Sequence, residues 1–190
     1  MVQNLVLAML SIFVVGCASL HESSSVAPAR SSNTNSDGYA LLFDLLGDER
    51  NVSKLLIIKR ERPELRDLIR DIAQRCGKAH GRLEQFGRAD RGLSLKTNGL
   101  PSIEIATRDA IGKTKAKQLL TESGKEFELR LLISQHEALT YASHLAASIA
   151  KGETNAQRSQ FLRQLSSDLT IMEQRVTSLL LTRYNWPAGR

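Results

Sequence analysis

The sequence predicts an all-α protein: a four-helix bundle with a short extra helix in the crossover between its second and third helices. Three observations carry that prediction. From Gly38 to Tyr184 the apolar residues recur at steps of three and four, the period of a helix with one buried face. No stretch shows the apolar–polar alternation of a half-buried strand. The four prolines, at 28, 63, 101 and 187, fall outside the interiors of the periodic stretches, where proline would break a helix.

The elements follow in order. A first helix is predicted over Tyr39–Arg60, burying Leu41, Leu42, Leu45, Val52, Leu55 and Leu56, with Gly47 as a point of weakness. Pro63 suits a first helical turn, so Arg60–Arg62 reads as a tight turn and a second helix as Pro63–Phe86. Its stripe is Leu65, Leu68, Ile69, Ile72, Cys76, Ala79 and Leu83. A loop over Gly87–Pro101 contains Gly92 and Asn98-Gly99, and a weaker crossover helix follows over Ser102–Leu120. Ser123 with Glu126, and Thr154 with Gln157, have the spacing of capping boxes. They open a third helix, Gly124–Lys151, and a fourth. The third buries Leu131, Leu132, Ala138, Leu139, Ala142, Leu145 and Ile149; the fourth buries Leu162, Leu165, Leu169, Met172, Val176 and Leu179. Gly152 suits a left-handed exit between them. Short connections make each pair antiparallel, and the long one makes the crossover. Residues 185–190, around Trp186-Pro187, are a tail.

Ahead of the bundle, Leu5–Val15 is an apolar run too short to span a bilayer, which takes roughly 20 residues, and it closes on Val14-Val15-Gly16-Cys17. A cysteine directly after a small residue resembles the lipobox of bacterial lipoproteins. That resemblance implies a signal peptide over residues 1–16, removed before a lipidated Cys17. Met1-Val2-Gln3-Asn4 departs from the pattern in carrying no Lys or Arg. Ala18 and Ser19 lack the aspartate that retains such lipoproteins at the inner membrane, which implies the outer membrane, facing the periplasm. Residues 17–37 then form the lipidated cysteine and a Ser/Asn-rich tether, leaving 38–184 for the bundle.

The formal charge is +6, but basic residues are interspersed with acids, as in Lys59-Arg60-Glu61-Arg62 and Arg66-Asp67. That reads as a solvated surface rather than a nucleic-acid stripe, with attraction to anionic lipid as a minor component. With Cys17 lipidated, Cys76 has no intramolecular disulfide partner.

Bundle cores can hold di-metal centres built on Glu-x-x-His pairs. Here Gly77, Ile133 and Tyr141 stand three residues before His80, His136 and His144, so that spacing is missing. Polar residues nonetheless interrupt the apolar stripes. Gln135 falls near the middle of the third helix's buried face, with Glu128 seven residues earlier. Asp48 and Glu49 interrupt the first stripe, and Cys76 and His80 lie one turn apart on the second. Together these could form a mixed Cys/His/carboxylate pocket, and Cys76, His80, Glu128 and His136 are the candidate metal ligands. The competing reading is a hydrogen-bonded polar layer that fixes register and binds nothing, and it is the expectation adopted, with no cofactor assigned. His136 lies on the flank of the third helix, and His144 and Glu137 lie on its far, solvated side. Gly112-Lys113-Thr114 fails as a phosphate loop, because Thr107 stands where a glycine is required. No catalytic residue is assigned, and the protein is expected not to be an enzyme.

The stretch Phe127–Ile149, with His136-Glu137-Ala138 and Leu145-Ala146, is similar to the third helix of the bacterial exported domain-of-unknown-function family 4142. That resemblance implies a ferritin-like bundle from about Tyr39 to Leu180. The family's Asp-His pairs stand as Gln135-His136 and Arg75-Cys76 here, and a shared glutamate as Asn51, which implies that a metal site has eroded. The function expected is a lipid-anchored, non-enzymatic interaction or structural module of the cell envelope. It would contact the membrane through acyl chains on Cys17 and a protein partner through a helical face that includes Lys113, Lys115 and Lys117, with no nucleic-acid partner. The alternative is a degenerate ferritin-like protein that binds a metal or small ligand in its core. Direct membrane remodelling by an amphipathic helix is the weaker third alternative, since bundle packing should consume the apolar stripes and leave no spare apolar face.

Overall fold

The computed structural model describes residues 34–59 and 61–184. The predicted signal peptide, Cys17, most of the predicted tether and the predicted tail lie outside them. The described residues form helices and loops without a strand: α1 (Thr34–Glu49), a 3-10 turn (Val52–Lys54), α2 (Leu55–Ile58), α3 (Pro63–Ala89), a second 3-10 turn (Thr97–Gly99), α4 (Ser102–Thr121), α5 (Gly124–Gly152) and α6 (Ala156–Tyr184). The all-α expectation holds. None of the described helices is long and apolar enough to cross a membrane.

The predicted first helix is in fact two pieces, and it starts earlier. Ser36 and Asp37, read as tether by composition, belong to α1 because the loop before α4 supplies their partners. Ser36 Oγ accepts a hydrogen bond from the Ser94 amide at 3.0 Å. Asp37 lies against Gly99, where any side chain would collide with its carboxylate. At the other end α1 stops after Glu49. The Asn51 side-chain carboxamide (Nδ2) donates to the Gly47 carbonyl at 2.8 Å, taking up an acceptor that a continuing helix would need. Gly47 is not the break. It lies inside α1, where a Cβ would stand 3.4 Å from the His80 ring.

α1 packs on α3 and α5, and α6 packs on α5 most extensively and on α3. The shared core includes Leu42 and Leu46 of α1, Leu65–Phe86 of α3, Phe127, Leu131 and Leu139 of α5, and Leu162–Leu180 of α6. All seven predicted residues of the second stripe are buried. In α6 the predicted seam holds through Val176, then passes from Leu179 to Leu180. A strict three-four repeat drifts about 20° per heptad on a straight helix, so the inward position slips by one residue toward the end.

Neither capping box forms as its spacing predicts. Ser123 is the N-cap of α5 but makes no side-chain cap bond. The cap of α6 is Asn155, whose Oδ1 accepts the Arg158 amide at 3.1 Å, so Thr154 is one residue too early. Gly152 remains within α5. The left-handed backbone is found instead at Gly124, φ +60°, the residue that opens α5, where glycine enters without strain.

Candidate functional site

The chemistry-bearing side chains fall into separate polar inclusions at different levels of the helical body. The deepest joins α1, α3 and α5. Glu49, at the C-terminal end of α1, meets Gln135 of α5, which is 2% exposed, and lies within electrostatic reach of Cys76 on α3 and Lys115 on α4. Burial pushes the Glu49 carboxyl up to about 7. A hydrogen bond from Gln135 opposes that rise, and Asp48 adds to it. The helix C-terminus, with its partial negative charge, also disfavours the anion there. Glu49 Oε2 and Gln135 Oε1 are enclosed and lack hydrogen-bond partners. Two unpartnered acceptors make this a place that holds a proton or another donor near neutral pH. Burial, reinforced by Glu49, pushes the Cys76 thiol up to about 12, so it is a poor thiolate nucleophile or ligand.

His80 belongs to a neighbouring arrangement. Its ring stacks on Phe43 with centroids 3.9 Å apart, and its Nδ1 lies 3.1 Å from the Arg50 guanidinium. Burial and the Arg50 charge both lower its pKa, so the ring is neutral and Nδ1 accepts from Arg50. A nitrogen engaged in this way is not directed at Cys76.

Glu128 is buried, as the sequence indicates, but it answers to the far end of α6. Arg183 donates to its Oε1 at 2.6 Å and also pairs with Glu64. His136 lies on the flank of α5, as expected, half-buried against α6, with Nδ1 2.8 Å from Glu173 and Thr177 alongside. Glu137 and His144 are exposed as expected, and Glu137 pairs with Lys115. Of the mixed pocket, Glu49, Gln135 and Cys76 come together, whereas His80, Glu128 and the fourth candidate ligand His136 turn to other partners. Among the described residues no three His, Cys, Asp or Glu side chains converge as metal ligands. Each candidate is placed on its own helix as periodicity indicates, but each finds a different partner across the core.

One cluster escaped sequence reasoning. Arg158 donates to Glu153 at 2.9 and 3.0 Å and to Asp90 at 2.5 Å, and the Tyr39 hydroxyl donates to Glu153 at 2.5 Å. Burial alone would raise Glu153, but the bonds from Arg158 and Tyr39 outweigh it and hold the carboxyl below its usual range. Together they tie α1, the loop after α3 and the α5–α6 turn into one node. Its members are 114 residues apart for the Tyr39–Glu153 pair, so no local pattern announces it.

α4 is the outlier in packing. Of its 20 residues only Leu119 is buried. It is held by Lys115 on Glu137, by Arg108 on Tyr141, and by Lys59, which donates to the carbonyls of Leu120 and Glu122. Lys115 is thus engaged with the body, and the predicted lysine face reduces to Lys113 and Lys117. Ile103 and Ile111 are 74% and 51% exposed. A helical face does remain unconsumed by packing, contrary to the sequence expectation.

Fold and site together define an all-helical, bundle-like protein whose buried polar groups are partitioned among several helix-to-helix contacts. Comparison with protein-family models, with curated proteins and with solved structures gives no match for this chain.

Proposed function

We propose that this protein is a lipid-anchored helical module of the bacterial envelope, held by Cys17 at the periplasmic face of the outer membrane, and that it acts by contact rather than catalysis. Its helices are read as a ferritin-like four-helix arrangement with α4 in the crossover, in keeping with the resemblance to family 4142. The observation that carries the proposal is α4, a 20-residue helix fastened along one edge while Ile103, Ile111, Lys113 and Lys117 face outward. A helix that contributes one side chain to the core is poorly explained by folding stability alone. It is well explained as a surface for a partner. The clusters at Arg158 and Arg183 fit the same reading, since each ties helices together. Cell fractionation is the test. Cys17→Ala should move the protein from the membrane fraction to the soluble periplasm, and a variant that stays with the membrane overturns the anchor.

A second reading is favoured by one observation, the enclosed and unpartnered oxygens of Glu49 and Gln135 beside Cys76. They would accept a cation or a small hydrogen-bond donor within the body. Metal analysis of protein purified without chelators distinguishes the two. The contact module is expected to carry substoichiometric metal, unchanged in Cys76→Ser. One equivalent that disappears in Cys76→Ser would establish the second reading instead.

A further inference from the structure

We propose that the outward face of α4 is a docking surface for an anionic phospholipid bilayer. This deepens the envelope-module reading and rests on it for the biological setting. The outer edge of α4 is a row at alternating steps of four and three: Ile103, Thr107, Ala110, Thr114, Lys117 and Thr121, all exposed, with Ile111 on its flank. The threonines bring no spare donor to that surface. Thr107 donates to the Ile103 carbonyl at 2.7 Å, Thr114 to Ala110 at 2.9 Å and Thr121 to Lys117 at 3.0 Å. Charge is sorted in the same direction. Glu104 is paired with Arg108, and Asp109 lies toward Asp48 of α1, whereas Lys113 and Lys117 have no partner among the described residues. A surface of two isoleucines, an alanine and internally bonded threonines, set with unpaired lysines, complements anionic headgroups.

Chain geometry points the same way. Through Ser36 on Ser94 and Asp37 on Gly99, the start of α1 sits beside the loop that leads into Ser102. The chain toward Cys17 therefore leaves the body at the N-terminal end of α4. The residues between Cys17 and Thr34 can span at most roughly 55 Å at 3.3–3.6 Å each, ample for the Ile103 end to rest on a bilayer that holds Cys17. A partner helix would find a single large aliphatic knob on the row, Ile103, and a lysine near its other end, which is little for stable helix pairing. A body already tethered to a membrane needs far less contact area to settle on it.

The test uses the full chain with Cys17→Ser, so that acylation plays no part. A polarity-sensitive dye is attached through Ile103→Cys or, as a control on the exposed side of α3, through Lys78→Cys. Cys76 stays unlabelled inside the core. With phosphatidylglycerol vesicles the dye at 103 should shift to the blue, and with phosphatidylcholine vesicles it should not. The dye at 78 should not respond to either. Adding Lys113→Gln and Lys117→Gln should raise the lipid concentration needed about 25-fold, at about fivefold per lysine. Circular dichroism matching the parent excludes misfolding, which these exposed positions should not provoke. No shift at 103 on phosphatidylglycerol, an equal shift at 78, or a shift that requires added periplasmic protein overturns the proposal. Failure of the anchor would register only in the fractionation of Cys17→Ala, so the two readings fail separately.

Discussion

Replacing Arg158 with methionine is expected to destabilise the fold by about 3–5 kcal/mol. The guanidinium makes two bonds to Glu153 and one to Asp90, and its side chain is 16% exposed against 4% for Glu153. Methionine would preserve much of the stem's packing but leave the Glu153 carboxylate enclosed with only the Tyr39 hydroxyl and the Asn155 amide. The Asp90 contact adds little, because that carboxylate is well exposed to solvent. Most of the loss is therefore the penalty of an uncompensated buried charge. Pairing the change with Glu153→Gln should recover a large part of it, since the charge is then removed from both sides. Urea unfolding of the two single variants and the double variant measures this. Simple additivity of the two losses would show that the buried pair is not the source.

The second large effect is a gain. Glu49→Gln is expected to stabilise the protein at pH 8 by about 3 kcal/mol and to have almost no effect at pH 4.5. The folded-state pKa of Glu49 is raised from an ordinary 4.5 to about 7, chiefly by burial. Below the unfolded value both states carry the proton, and the favourable contribution of the neutral carboxyl is fully present. Between pH 4.5 and 7 the unfolded chain ionises while the folded one does not, so stability falls with rising pH at up to about 1.4 kcal/mol per unit. Above pH 7 both are ionised and the loss levels off. Glutamine imitates the neutral acid at every pH and abolishes that slope. Thermal melts of both proteins across pH 4.5–8 check it, and parallel curves would mean that Glu49 does not titrate as the buried site requires.

How much of this was legible depends on where the determining interaction lies. The stripe of α3 could be read residue by residue, because which way a side chain points on a helix is a property of a few consecutive residues. For the same reason Gln135 and Glu128 could be placed on the buried face of α5. Their partners could not. Glu128 is neutralised by an arginine 55 residues later, while Gln135 meets Glu49 of α1. Whether the candidate ligands met could not be read for that reason, since correct helix faces do not say which faces meet at the same level. Boundaries failed for a related reason. Thr154 and Asn155 are both good caps by type, and backbone geometry selected the second. The extension of α1 back to Thr34 is accompanied by Ser94 and Gly99, which lie far along the chain from the residues they contact.

Periodicity and proline placement by themselves thus determined that the chain is helical, where most of its helices run and, on α3 and most of α6, which side chains turn inward, whereas of the six inward residues expected on the first helix only Leu42 is buried. Those features depend on local geometry and on apolar burial, which is non-directional and tolerant. The tertiary structure alone decided the charge pairings, the elevated proton affinity of Glu49 and the exposure of α4's outer row. Hydrogen bonds and ion pairs are directional and short-ranged, so they form only between groups that folding brings within a few ångströms. A helix such as α4 shows whether its apolar residues are spare only once every neighbouring surface is in place.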